Sequence, residues 1–202
     1  MRKSLLLIVA LLPSICLADE EQEVEATVEE APRSPFDRPF GFGAYATGWA
    51  GAYGAGGVGA RIRVQPWSRL GIDLFGEAYV VSTAFGIRHD HPIGFNLYSP
   101  FRFGSVVQLR PFIGTCVVAS FIEPTESQAP RADDVLFGVH AGAGLDFALS
   151  RWVSRFVEGK AIAWMGHDRT VQGWTGALGN QIQPFVVGQG QVGVAVHLGP
   201  LR

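Results

Sequence analysis

The sequence predicts an all-β chain, an eight-stranded antiparallel up-and-down transmembrane β-barrel. Three observations point there. Beyond residue 39 the hydrophobic pattern has period 2 and no sustained 3.6-residue stripe, the mark of strands with two unlike faces. Only 17% of the residues are charged while 48% are apolar, which fits a surface partly out of water. The connections between the alternating runs are short and long in turn, as in a membrane barrel with tight turns at one end and loops at the other.

Three segments precede or form the barrel. Residues 1–18 read as a secretory signal peptide: Arg2 and Lys3 supply the positive start, Leu5 to Leu12 the apolar run, and Cys16-Leu17-Ala18 a small-x-small cleavage site before Asp19. The apolar run is too short to span a bilayer, and Pro13 interrupts it. A lipoprotein signal is disfavoured because Ile15 stands before Cys16, where a small residue is expected. Residues 19–38 carry seven acids between Asp19 and Glu30 with no base, and Pro32, Pro35 and Pro39 close the segment. Such a composition buries too little apolar surface to fold alone, and the segment reads as an acidic, disordered periplasmic lead-in. Residues 39–202 hold the barrel; their twelve Arg and Lys nearly balance ten Asp and Glu. Once the signal is removed Cys116 is the one remaining cysteine, so no intramolecular disulfide forms.

The strands follow in order. The first, Phe40 to Trp49, alternates Phe and Ala with Gly, Tyr and Thr. The second sets Val58, Ala60, Ile62 and Val64 against Gly59, Arg61, Arg63 and Gln65. The third sets Ile72, Leu74, Ala78 and Val80 against Asp73, Phe75, Glu77 and Tyr79. The fourth places Phe95, Leu97, Phe101 and Phe103 opposite Gly94, Asn96, Tyr98 and Arg102. The fifth, Leu109 to Phe121, opposes Leu109, Ile113 and Val117 to Gln108, Arg110 and Gly114. In the sixth, Val139, Ala141, Ala143, Leu145 and Phe147 oppose Gly138, His140, Gly142, Gly144 and Asp146. The seventh, Val153 to Met165, opposes Val157, Ala161 and Ala163 to Ser154, Glu158 and Lys160. The last opposes Val192, Val194, Val196 and Leu198 to Gln191, Gly193, Ala195 and His197. Each is long enough to cross a bilayer, which takes about 9–11 residues.

Period alone does not say which face is inside. The polar face carries Arg61, Arg63, Arg102, Arg110 and Lys160 together with Asp73, Glu77, Asp146, Glu158 and His140, interleaved with glycine and aromatic residues. Mixed charges of this kind suit a narrow lumen in which they pair, with Arg61 or Arg63 expected to meet Asp73 or Glu77. The alternative is a soluble, lipocalin-like periplasmic binding barrel with the polar face outward. Short turns are expected at Pro66 to Leu70, Gly104-Ser105 and Ser150-Arg151, and longer loops at Gly51 to Gly56, Gly86 to Pro92, Glu123 to Asp134 and Gly166 to Pro184. Trp49, Tyr53, Tyr79, Trp164 and Trp174 near the long loops, and Trp67 and Trp152 near the turns, suggest two interfacial aromatic belts.

In these features, and in the Gly-rich strand Phe137 to Asp146 that runs through a tight turn into Trp152 to Glu158, residues 39–202 resemble small outer-membrane barrels of the OmpA/OmpX type. The resemblance implies residence in the bacterial outer membrane and contact with its lipid. It also implies that Gln191, Gly193, Val196 and Leu198 form the strand signal read by the barrel-assembly machinery. The chain departs from that pattern at its end, where Gly199-Pro200-Leu201-Arg202 follow the last strand and no aromatic closes it.

Catalytic and cofactor signals are weak. His89 and His91 alternate and flank Asp90, and His167 with Asp168 lies in another loop, but four ligands do not gather in sequence, so no metal site is assigned. No Gly-x-Ser-x-Gly elbow occurs. The Gly-x-Gly strings lie within strands and open no helix, so neither a nucleotide nor another cofactor is expected. No basic cluster points to nucleic acid. The expected function is therefore non-enzymatic, a structural or surface-interaction barrel with a filled lumen and long loops that contact an extracellular ligand. A narrow conduit for small or hydrophobic solutes is the alternative, kept open by the inward glycines Gly138, Gly142, Gly144 and Gly193.

Overall fold

The computed structural model of the chain describes residues 34–50, 54–83, 86–124, 132–165 and 185–200. Nine strands form in chain order: β1 (Phe40–Ala50), β2 (Ala55–Trp67), β3 (Leu70–Thr83), β4 (Gly86–Tyr98), β5 (Phe101–Phe103), β6 (Val107–Pro124), β7 (Ala132–Ala148), β8 (Val153–Met165) and β9 (Phe185–Leu198). All neighbours are antiparallel, and β1 pairs with β9 to close the sheet. β4 and β5 are one stave of the wall. Tyr98 faces Phe112 and Phe101 faces Leu109 in the same register on β6, and Ser99-Pro100 merely interrupts the ladder. The closed wall therefore has eight strands.

The register fixes the geometry of closure. From Phe40 the ladder runs through Val64, Ile72, Leu97, Ile113, Ala141, Ala161 and Gly188, and it returns to β1 at Ala50, ten residues further along. A shear of ten over eight strands tilts them by roughly 40° from the axis, given ordinary strand rise and spacing.

Burial alternates along every stave, and the polar face is the inner one. Arg61, Arg63, Asp73, Arg110, Asp146 and Glu158 are buried, whereas Val58, Ile62, Leu74, Ile93, Ile113, Val135, Val157 and Val194 are exposed. This orientation contradicts the lipocalin-like alternative, which needs apolar residues inside. It leaves an apolar outer band suited to lipid.

Two expectations about connections are corrected. Residues 86–92 do not form a loop; they are the first half of β4, and Arg88 and Asp90 point inward. The alternation Ile87, His89, His91, Ile93 against Arg88 and Asp90 carries the strand, and Pro92 is tolerated because the β3–β4 ladder skips its position. Likewise β6 extends to Pro124 and β7 begins at Ala132, so the strands take both ends of the expected 123–134 loop. The turns at Ser68-Arg69 and around Ser150-Arg151 are as short as the sequence suggests, and the loop at 166–184 lies outside the described residues.

Residues 34–38, expected within a disordered lead-in, are ordered. Ser34 caps a single 3-10 turn, Pro35–Asp37, in a capping box with Asp37. Phe36 is buried there, edge-on to the inward ring of His197. The remainder of the lead-in and the signal segment lie outside the described residues.

Inside the wall, aromatic rings lie over glycines of the adjacent strand. Tyr45 faces Gly59, Phe75 faces Gly94, Tyr98 faces Gly71, Phe112 faces Gly142, Phe156 faces Gly193 and Trp164 faces Gly138, each a direct register partner. A Cβ on Gly59 would sit 2.5 Å from the Tyr45 ring, so only glycine admits the ring. Replacing Gly59 with Val is expected to destabilise the barrel by about 1–3 kcal/mol through overpacking. Replacing Gly76, which faces outward with open space around it, is expected to change stability by less than about 0.5 kcal/mol. Urea titration of tryptophan fluorescence in detergent micelles measures both, and equal effects would refute the ring-on-glycine packing.

Candidate functional site

The lumen holds the largest concentration of polar chemistry in the described residues. Parity alone places it. Odd positions of β1, β2, β3 and β9 and even positions of β4, β6, β7 and β8 point inward. Charges separated in sequence by as many as 97 residues therefore meet.

Asp73 and Asp146 lie at the centre. Arg63 donates through Nε to Asp73 at 3.0 Å, its direct partner across β2 and β3. Arg63 also reaches Asp146 at 3.4 Å. Arg110 donates to Asp146 through Nε and lies 3.1 Å from Asp73. Arg61 crosses the lumen to Glu158 at 2.7 Å and also donates to Gln191. These side chains are at most 5% exposed. The guanidinium groups sit against rings, Arg61 over Tyr45 and Phe156 and Arg63 and Arg110 over Tyr98, which adds cation–π attraction to the ion pairs.

Glu77 forms a second centre and does not pair with an arginine. It faces Gly59 across the ladder. Its carboxylate accepts from Tyr45 Oη at 3.0 Å, Tyr79 Oη at 2.9 Å, Gln189 Nε2 at 2.9 Å and Gln191 Nε2 at 2.7 Å, with Lys160 Nζ at 3.6 Å. The two centres together hold four cations, Arg61, Arg63, Arg110 and Lys160, and four carboxylates, Asp73, Glu77, Asp146 and Glu158. Their formal charges cancel, and each of these side chains is at most 5% exposed.

Two of the ten residues expected in the lumen network differ. Arg102 lies apart, at the turn end, where it pairs with Asp37 at 2.5 Å in a partly exposed bridge and donates to the Phe36 carbonyl. β5 is too near the turn to reach the central charges. His140 is buried but joins no ion pair. Its Nε2 lies 2.5 Å from Asn96 Oδ1 and its Nδ1 3.9 Å from Cys116 Sγ, between the edges of Phe75 and Phe112.

The inward glycines that suggested an open conduit are covered. Trp164, Phe112 and Phe156 lie over Gly138, Gly142 and Gly193, and Arg110 approaches Gly144. Trp49, Tyr79 and Trp164 also point inward and stack on one another. They are core residues, not an interfacial belt, while Tyr53 and Trp174 lie outside the described residues. Trp67 and Trp152 at the turn end are exposed.

The turn end is closed by the N-terminal residues. Ser34 Oγ donates to the Ser105 carbonyl at 2.8 Å, and Arg38 donates to the carbonyls of Arg151 and Gly199. Phe36 is 3% exposed. One segment thus ties the β5–β6 turn, the β7–β8 turn and the end of β9. Parity within β1 to β9 gives no hint of this cork. Its sequence signal is Ser34-Pro35-Phe36-Asp37, a capping box around the one aromatic residue of the lead-in.

Nucleophile-and-base spacings do occur, at Ser154 Oγ and His197 Nε2, 2.7 Å apart, and in the Cys116–His140–Asn96 chain. All five side chains are buried at 5% exposure or less, and they act as packing hydrogen bonds. His89 and His91 face outward on β4, away from Asp90, and no group of three metal ligands forms among the described residues. His167 lies outside them. In β9, Gln191 and Gly193 point into the lumen and Val196 and Leu198 point outward.

No family model matches the sequence, and no curated protein matches it. The crystal structure of neisserial surface protein A superposes with a TM-score of 0.56 at 13% identity, covering 79% of this chain and 96% of that one. This chain has the fold of the small outer-membrane β-barrels. The N-terminal barrel of Pseudomonas aeruginosa OprF matches at TM-score 0.46 and 13% identity over 78% of this chain and 97% of its own. Ail, the attachment invasion locus protein of Yersinia pestis, matches at 0.47 and 10% over 79% and 96%.

Removing one carboxylate from the centre leaves a buried cation unpaired. Asp146→Ala is expected to lower unfolding stability by about 3–5 kcal/mol, whereas Asp37→Ala, in a partly exposed bridge, is expected to cost about 1 kcal/mol. The midpoint temperature of the heat-dependent gel shift ranks the two, and equal midpoints would contradict a dry centre. Cys116 is expected to resist maleimide in the folded barrel and to react after boiling, as read by mass spectrometry.

Proposed function

We propose that the chain is exported to the bacterial outer membrane and serves there as a closed barrel with a structural or surface-interaction role. The outer face meets lipid, and the long connections meet an extracellular ligand. The observation that carries this reading is the lumen, where five cations and five carboxylates among the described residues form buried ion pairs, with aromatic rings over the inward glycines. An eight-stranded barrel is just wide enough for side chains to fill it. A wall held rigid by its own interior is suited to presenting loops and ill suited to passing solutes.

The outer band supports the membrane assignment. Its described strand positions are mostly Val, Ile, Leu, Phe, Ala and Gly, a surface that aggregates in water and is stable in lipid. Assembly follows from the same reading. Gln191, Gly193, Val196 and Leu198 on β9 present the strand that the barrel-assembly machinery engages before β9 closes on β1. The chemistry offered by the lumen is hydrogen bonding and charge pairing, so the role proposed is non-enzymatic and uses no cofactor.

Fractionation and bilayer recording test the reading together. The full chain is expected in the outer-membrane fraction, with a gel mobility that shifts on boiling, and with no stable conductance steps in planar bilayers. Recovery as a soluble periplasmic protein would overturn the membrane role, and reproducible conductance steps would establish the conduit.

A further inference from the structure

The described outer face of the barrel is mostly apolar, with His89, His91 and Thr115 among its few polar side chains. Among the outward strand positions whose side chains are described, Arg155 is the one residue with a formal charge. It is exposed on β8, and its register partners are the outward Phe147 of β7 and Val194 of β9. Among the outward positions whose side chains are described there is no acid, and Arg155 makes no hydrogen bond or ion pair among the described residues. An arginine in such a setting is unfavourable unless its head group leaves the hydrocarbon and meets an anion.

Its position allows both. Arg155 lies two residues above the start of β8 at Val153, roughly 5 Å along the barrel axis at the tilt of this wall. Just below it, the β7–β8 turn is held by Ser150 Oγ, which accepts from the backbone N–H of Trp152 and Val153. That turn presents Trp152, 39% exposed, with the guanidinium of Arg38 stacked on its ring at 3.3 Å and that of Arg151 at 5.7 Å. A half-exposed tryptophan marks the depth of a lipid headgroup. The described turn end carries Arg38, Arg69, Arg102, Arg151 and Arg155 against a single acid, Asp37, which Arg102 already occupies.

We propose that Arg155, Arg151 and Trp152 form a binding site for the phosphodiester of an anionic phospholipid in the leaflet at the turn end. This rests on the reading of the chain as an outer-membrane barrel. The planar guanidinium of Arg155 grips phosphate oxygens in pairs, Trp152 fills the level of the glycerol, and acyl chains cover Phe147, Val157 and Val194. The source of the phosphate is a lipid, because the exposed apolar side chains Phe147, Val157 and Val194 around Arg155 offer a surface for the acyl chains that a free anion lacks.

The test is native mass spectrometry of the full, folded chain released from micelles doped with phosphatidylglycerol or with phosphatidylcholine of the same acyl chains. The wild type is expected to retain phosphatidylglycerol at least about fivefold over phosphatidylcholine. Arg155→Gln is expected to lower that adduct about threefold or more while Arg155→Lys keeps most of it, as for a lost charge-assisted contact. Excess inorganic phosphate is expected to leave the adduct in place. Equal adducts in wild type and Arg155→Gln, equal retention of the two lipids, or displacement by inorganic phosphate would each overturn the site. The heat-dependent gel shift is run on the same samples. A persistent shift with an adduct indifferent to Arg155 rejects the lipid site alone, while loss of the shift in the wild type rejects the barrel and the site together.

Discussion

A buried charge is tolerable only when it is paired, and that constraint organises this barrel. Arg61 and Arg63 come from β2, Asp73 and Glu77 from β3, Arg110 from β6, Asp146 from β7, and Glu158 and Lys160 from β8. More of the pairs join non-neighbouring strands than neighbouring ones, as Arg61 does to Glu158 and Arg110 does to Asp73. The β6–β7 hairpin pairs Arg110 with Asp146 by itself, but Glu77, Glu158 and Lys160 find their charged partners only across the lumen. A partly assembled sheet leaves cations and carboxylates in water or in lipid, and closure of β9 on β1 brings the last partners, Gln189 and Gln191, onto Arg61 and Glu77. The ion pairs add less net stability than their number suggests, because each ion loses its hydration. They make the closed state the one in which all of them are satisfied.

The wall is shaped to hold that interior. Rings laid over glycines let eight strands carry Tyr45, Phe75, Tyr98, Phe112, Phe156 and Trp164 inward without widening the barrel. Gln191 links the two polar centres, accepting from Arg61 and donating to Glu77, and towards the loop end Trp49, Tyr79 and Trp164 stack beside Val118, Leu136 and Val187. The low dielectric that makes an unpaired charge costly also strengthens each satisfied bond. Packing and electrostatics are therefore one device here.

The two ends of the barrel differ in kind. At the turn end a five-residue segment brings Phe36 under the lumen, and arginines outnumber acids around it. At the other end the long connections begin, and the strands that lead into them run further than their hydrophobic pattern suggests. An apolar girdle lies between, broken by Arg155 near the cationic rim. This asymmetry distinguishes the two ends of the barrel.

The sequence by itself determined the strand class, the eight staves, the short turns and the division of most strand residues into two faces, because a period of 2 survives whatever the strands later touch. Arg61, Arg63, Asp73, Glu77, Arg110, Asp146, Glu158 and Lys160 are all legible as one face for that reason. Only the tertiary structure decided which of them meet, since shear and closure set partners across the lumen and parity does not. It also decided that Glu77 is held by tyrosines and glutamines, that Gly138, Gly142 and Gly193 make room for rings, and that Trp49, Tyr79 and Trp164 belong to the core. Residues 86–92 and 34–38 were misleading in sequence for a shared reason. Polar and proline-rich composition signals solvent in most chains, but in a barrel with a polar interior the same residues are the ones that fill it or close its end.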